Sequence, residues 1–96
     1  MICHNASSNL RLRSGVAPLN RLRARGLRVG LGLDEAGIND DRDMWQEMRL
    51  VLRLHREPGM DDGVPTSAGV FEMATAGGAA TTGFGAGIGR LAPGAA

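Results

Sequence analysis

Asp34 stands directly after Leu27-Arg28-Val29-Gly30-Leu31-Gly32-Leu33, a run in which apolar residues alternate with glycine and arginine. Alternation of period two is the pattern of a strand. A carboxylate at the C-terminal end of such a strand can hold a metal ion or serve as general base toward a metal-bound water. An aspartate there can equally cap the following loop or helix, and position alone leaves both readings open. Other residues capable of chemistry are few. Cys3 is the only cysteine, so no internal disulfide can form, and a reducing, cytoplasmic setting is the simpler expectation. His4 and His55 lie far apart and, with one cysteine, make no ligand set of their own.

The elements that must position Asp34 follow from pattern. Met1-Ile2-Cys3-His4 reads as the end of a strand, and the Asn- and Ser-rich 5–15 as a loop. Pro18 suits the first turn of a helix carrying Leu19 and Leu22, and Gly26 suits the left-handed position just past its end, with Leu27 packing back on Leu22. A strand over 27–33 comes next, its glycines leaving one face bare, as where a barrel interior or a ligand needs room. A helix then runs from Asp41 or Asp43 to Arg56, acidic at its start, as the helix dipole favours. Met44, Met48, Val51 and His55 share its inner face, widened by Trp45 and Leu52. Trp45 and both methionines read as core against the sheet. Pro58-Gly59 ends this helix. A third helix begins near Thr66 with Val70, Phe71 and Ala74 inward, and Gly77-Gly78 breaks it. Helix, strand and helix in alternation point to a parallel α/β sheet.

Ninety-six residues allow one domain at most. All eleven basic residues are Arg, and they nearly balance ten acids. That balance argues against a dedicated nucleic-acid or membrane binder. Arg11, Arg13, Arg21, Arg23, Arg25 and Arg28 precede every acid, yet no aromatic is interleaved to stack on bases. A solvated face is the simpler reading of this block. No stretch approaches the ~20 apolar residues of a membrane span.

Three motifs, in order, resemble the metal-dependent amidohydrolase superfamily, in its cytosine-deaminase-like, chlorohydrolase-like and methylthioadenosine/homocysteine-deaminase-like branch. The first is His4, Asn5, Ser8, Asn9, Leu12, Ser14 and Gly15. The second is Gly26, Val29, Leu31, Gly32 and Asp34. The third is Asp43, Met44, Glu47, Met48 and Arg49, and Met73-Ala74-Thr75 with the later Ile88-Gly89 and Pro93-Gly94 continue the likeness. Ala6, Leu33, Glu35 and Ile38 depart from the pattern, which has Pro, Thr and Gly at the first three and a substrate-side Ser in some members at the fourth. These departures bear on substrate class and leave Asp34 in register.

The resemblance implies a C-terminal fragment of a (β/α)8 TIM barrel, from the end of strand seven to beyond helix eight, helix-rich with one full central strand. Residues 1–76 would be barrel and 77–96 a Gly/Ala-rich segment leading toward a small β domain. It implies that Asp34 is a metal ligand and also the proton shuttle of a hydrolase. That hydrolase uses zinc or iron to deaminate or dechlorinate a heterocycle. His4, Asn5, Glu35 and Asn39 are substrate-side candidates, with His4 a shaper of the pocket floor and not a ligand. The family's His-x-His pair and further histidines belong to earlier strands and do not occur in this sequence. The isolated chain is therefore expected to bind no metal and to be inactive without an N-terminal barrel part. A non-catalytic complementing fragment is the alternative, and a small Arg-rich RNA-binding protein a more distant one.

Overall fold

The computed structural model describes residues 1–35, 37–38, 41–59 and 63–96. Two short strands, β1 (Ile2–His4) and β2 (Val29–Leu31), pair in parallel, with Ile2 opposite Val29, Cys3 opposite Gly30 and His4 opposite Leu31. The ladder is closed by Ile2 N–H donating to the Arg28 carbonyl (3.0 Å) and Gly32 N–H donating to the His4 carbonyl (3.1 Å). β2 is thus shorter than the strand expected over 27–33, because pairing ends where β1 ends.

Two helices cross between the strands, α1 (Ala6–Arg11) and α2 (Leu19–Ala24). α1 corrects the expectation of a loop from Asn and Ser content. Its first turn is held from outside by a carboxylate of a later helix, which composition does not reveal. α2 ends as expected. Gly26 has φ +75°, its N–H donates to the Arg23 carbonyl (2.8 Å), and Leu27 N–H donates to the Leu22 carbonyl (3.1 Å). This is the double hydrogen bond of a left-handed helix stop.

α3 (Met44–Leu54) begins at Asp43, whose carboxylate accepts from the N–H groups of Trp45 (2.9 Å) and Gln46 (3.2 Å). α4 (Ser67–Glu72) begins at Thr66, whose hydroxyl accepts from Gly69 N–H (3.1 Å). α4 passes without a break into a π-helical turn (Met73–Gly77) and α5 (Gly78–Thr81), and a 3-10 turn follows at Gly85–Gly87. The Gly77-Gly78 pair therefore does not end the helix. A Cβ on Gly77 would lie 2.8 Å from the Val29 carbonyl oxygen, and one on Gly30 would lie 2.8 Å from that of Gly77. The glycines let helix and strand backbones touch. Gly30 accordingly faces a helix and not open space, which corrects the expected bare face.

The core gathers Ala6, Leu19, Val29, Leu31, Val51, Val70 and Met73. Full burial of side chains such as Leu19 and Val51 contributes about 1.5–3 kcal/mol each. Met44 and Met48 pack against this core partly buried. Trp45 and Phe71 do not: they are 68% and 50% exposed, with ring centroids 6.2 Å apart. Both were expected inside. They instead flank a cleft of about 320 Å³ between α3 and α4.

Candidate active site

The parallel strands run out at His4 and Leu31, and the residues just beyond them come together. A Cβ on Gly32 would meet the Asn5 side chain and the Cys3 sulfur, so glycine leaves room for Asn5 to close over the end of β2. The Cys3 thiol donates to Asn5 Oδ1 (3.5 Å). Asp34 is exposed at the same edge with φ +60°, a left-handed conformation rare outside glycine. Burial pushes the Cys3 thiol pKa up, and the Asp34 carboxylate pushes it further. Cys3, Asn5, Gly32 and Asp34 thus share one small polar edge.

The other sequence candidates lie elsewhere. Glu35 is exposed in the next turn, its carbonyl accepting from Ile38 N–H (3.0 Å). Asn39 lies outside the described residues. His4 alternates with Cys3 along β1 and so points to the opposite face. It is buried there, with Nε2 2.9 Å from Nε2 of His55 at the end of α3. Burial lowers the pKa of both rings, and the charge of His4 lowers that of His55 further. His4 Nδ1 is buried without a partner among the described residues.

Three features were not foreseen from the residue pattern. One is this histidine contact. Another is Glu47, 2% exposed, whose carboxylate accepts from Ser7 N–H (3.1 Å) in the first turn of α1. The last is Ser8, fully buried, whose hydroxyl donates to the Leu33 carbonyl (2.8 Å). Ser8 and Glu47 belong to the motifs noted above, but their partners lie 25 and 40 residues away in sequence.

Among the described residues, no three His, Cys, Asp or Glu side chains converge as metal ligands do. Asp34 offers one carboxylate, too few donors to fix an ion against water. The described residues of this chain alone do not fit a metal centre.

The profile of the amidohydrolase family matches residues 1–96. The chain belongs to the amidohydrolase family. It is 45% identical over 93 residues to a 5-methylthioadenosine/S-adenosylhomocysteine deaminase of Syntrophomonas wolfei, covering 97% of this chain and 22% of that protein. A 5'-deoxyadenosine deaminase of Methanothermobacter thermautotrophicus is 43% identical over 93 residues, 97% of this chain and 21% of its own length. Among solved structures, an adenosine deaminase from Xanthomonas campestris with bound zinc superposes with TM-score 0.81 at 34% identity, over 92% of this chain and 20% of that one. An atrazine chlorohydrolase from Arthrobacter aurescens, complexed with zinc and atraton, gives 0.82 at 27%, over 93% and 20%. The chain thus spans about a fifth of the relatives it matches. As a member of this amidohydrolase family it corresponds to a section of a barrel enzyme. No helix among its described residues is long and apolar enough to cross a membrane.

Proposed function

We propose that this amidohydrolase section supplies the eighth-strand end of a metal-dependent deaminase, with Asp34 as its reactive carboxylate. The observation that carries the reading is the place of Asp34. It stands at the C-terminal end of a parallel strand pair, the end where barrel enzymes gather catalytic groups, and it is exposed there. Residues 1–76 serve as barrel wall, and 77–96 lead toward a further domain. The deaminases named among the relatives favour a purine nucleoside as substrate over a chlorinated triazine.

A carboxylate so placed can take a proton from the attacking water and return it to the departing amine, which leaves as ammonia. Asn5, beside Gly32, is a hydrogen-bonding group for the ring, and Glu35 and Asn39 are further candidates from the resemblance. His4, packed against His55 behind the strand, shapes the pocket floor and does not contact the substrate. A bound zinc ion would supply the Lewis acidity that makes water nucleophilic near neutral pH, with its remaining ligands coming from other strands. The chain by itself therefore turns nothing over. Pairing with the rest of a barrel through strand edges that are unpaired among the described residues is part of the same reading.

The test is co-expression of the chain with the remainder of the Syntrophomonas wolfei enzyme, assayed for zinc content and for ammonia release from 5-methylthioadenosine. Turnover is expected only from the pair. Asp34→Asn in the pair should lower kcat by roughly 10²–10⁴-fold, the contribution of a positioned acid–base group. Full activity of that variant, or turnover by the 96-residue chain alone, would sink the proposal.

A further inference from the structure

Asp34 is held in its left-handed conformation by something other than its own side chain, since among the described residues its carboxylate takes part in no hydrogen bond or ion pair. The backbone around it shows what does. The β ladder ends with Gly32 N–H on the His4 carbonyl. One residue later the buried Ser8 hydroxyl holds the Leu33 carbonyl at 2.8 Å. That carbonyl belongs to the peptide unit from which φ of Asp34, +60°, is measured. Ser8 is itself carried on α1, and α1 is tied to α3 by the buried Glu47 carboxylate on Ser7 N–H.

We infer that Ser8 is a positioning residue for Asp34: its hydroxyl clamps the Leu33–Asp34 peptide plane, and Glu47 anchors the helix that carries it. The inference rests on the reading of Asp34 as the reactive carboxylate and explains how that group is aimed. A free peptide plane rotates by tens of degrees and sweeps the carboxylate through an ångström or more. A misplacement of about 1 Å can cost on the order of 10²-fold in rate. Ser8 meets the Leu33 carbonyl and Glu47 meets the Ser7 N–H, so both act through the backbone. The clamp is a neutral hydroxyl on a carbonyl, so it does not compete with a metal or a proton for the carboxylate.

The experiment is ¹⁵N relaxation on the 96-residue chain carrying Ser8→Ala or Ser8→Thr. Rigid amides have order parameters of about 0.85 and flexible ones lie below about 0.6. With Ser8→Ala, the Leu33, Asp34 and Glu35 amides should fall from the first range to the second while Val29, Leu31 and Val51 hold theirs. Ser8→Thr, which keeps the hydroxyl, should restore them. Unchanged order at Asp34, or an equal loss throughout the chain, overturns the inference and leaves Ser8 a packing residue. Should Ser8→Ala not fold, the unmutated chain still decides. A slowly exchanging Ser8 hydroxyl proton with a cross-relaxation peak to the Asp34 amide is expected, and its absence from the folded chain overturns the clamp. These spectra report where Asp34 is held whatever the turnover assay shows, so the clamp and the chemistry of Asp34 can fail separately.

Discussion

Asp34 occupies a backbone conformation that costs a non-glycine residue of order 1 kcal/mol or more. Asp tolerates it better than most residues, and glycine tolerates it best. Asp34→Gly should therefore leave the chain as stable as before or more stable by up to ~1 kcal/mol, read from urea midpoints, while abolishing turnover in the reconstituted enzyme. A clear loss of stability would show that the aspartate carboxylate supports the fold. The buried His4–His55 pair makes the opposite kind of contribution, to stability alone. Both pKa values are lowered in the folded chain, and the unfolded chain titrates near ~6.5. The unfolded state then binds more protons as pH falls below that value. The stabilising effect is present above about pH 7 and is lost as pH falls from ~6.5 toward the folded pKa values. Urea midpoints measured from pH 8 to pH 5 should decline, and His55→Gln should flatten the decline. A profile unaltered by that substitution would remove the pair as its cause.

Glycine decides the packing of one element on another where β2 meets the π-helical turn. A methyl at Gly30 would meet the backbone oxygen of Gly77 at 2.8 Å, and neither backbone can step aside as a side chain could. Gly30→Ala should cost about 1–3 kcal/mol, as overpacking does, whereas Gly83→Ala, with open space around it, should cost only the strain of its positive φ. Equal urea midpoints for Gly30→Ala and the unmutated chain would show that the turn yields. Local signals were legible at this scale where one residue type does one job: Gly26 as a helix stop, Asp43 and Thr66 as helix starts. They failed where the deciding partner is distant. The Asn and Ser of α1 read as loop because the Glu47 carboxylate on its first turn comes from 40 residues away. Trp45 fits the helical period of the inner face, yet it sits at the rim, where period alone does not mark the limit of burial. For the site, Asp34 and Asn5 were visible as motif residues at a strand end. Ser8 and Glu47 were visible in type and not in role, since each acts through a contact only folding creates.

The molecule as a whole is a slab, 41 × 34 × 20 Å, with a radius of gyration of 13.5 Å. A compact domain of this length has a radius of about 12.5 Å, so the chain is more open than its size requires. Its two strands form one sheet with no further strand among the described residues, and its buried apolar set is small. A section that presents unpaired strand edges and a thin core should gain stability from whatever completes the sheet. Binding that favours the folded form stabilises it by RT ln(1 + [L]/Kd), about 2.7 kcal/mol at a hundredfold excess over Kd. Titrating the chain with the remainder of a relative's barrel should raise its Tm progressively with concentration. The Asp34→Asn variant should follow the same curve in the absence of zinc, because association runs through strand edges and core and not through the carboxylate. Adding zinc should raise the Tm of the pair containing Asp34 further and that of the Asn variant less. A zinc response of equal size in both would show that the ion is held without Asp34, and a Tm indifferent to the added barrel would show that the slab does not complete itself at those edges.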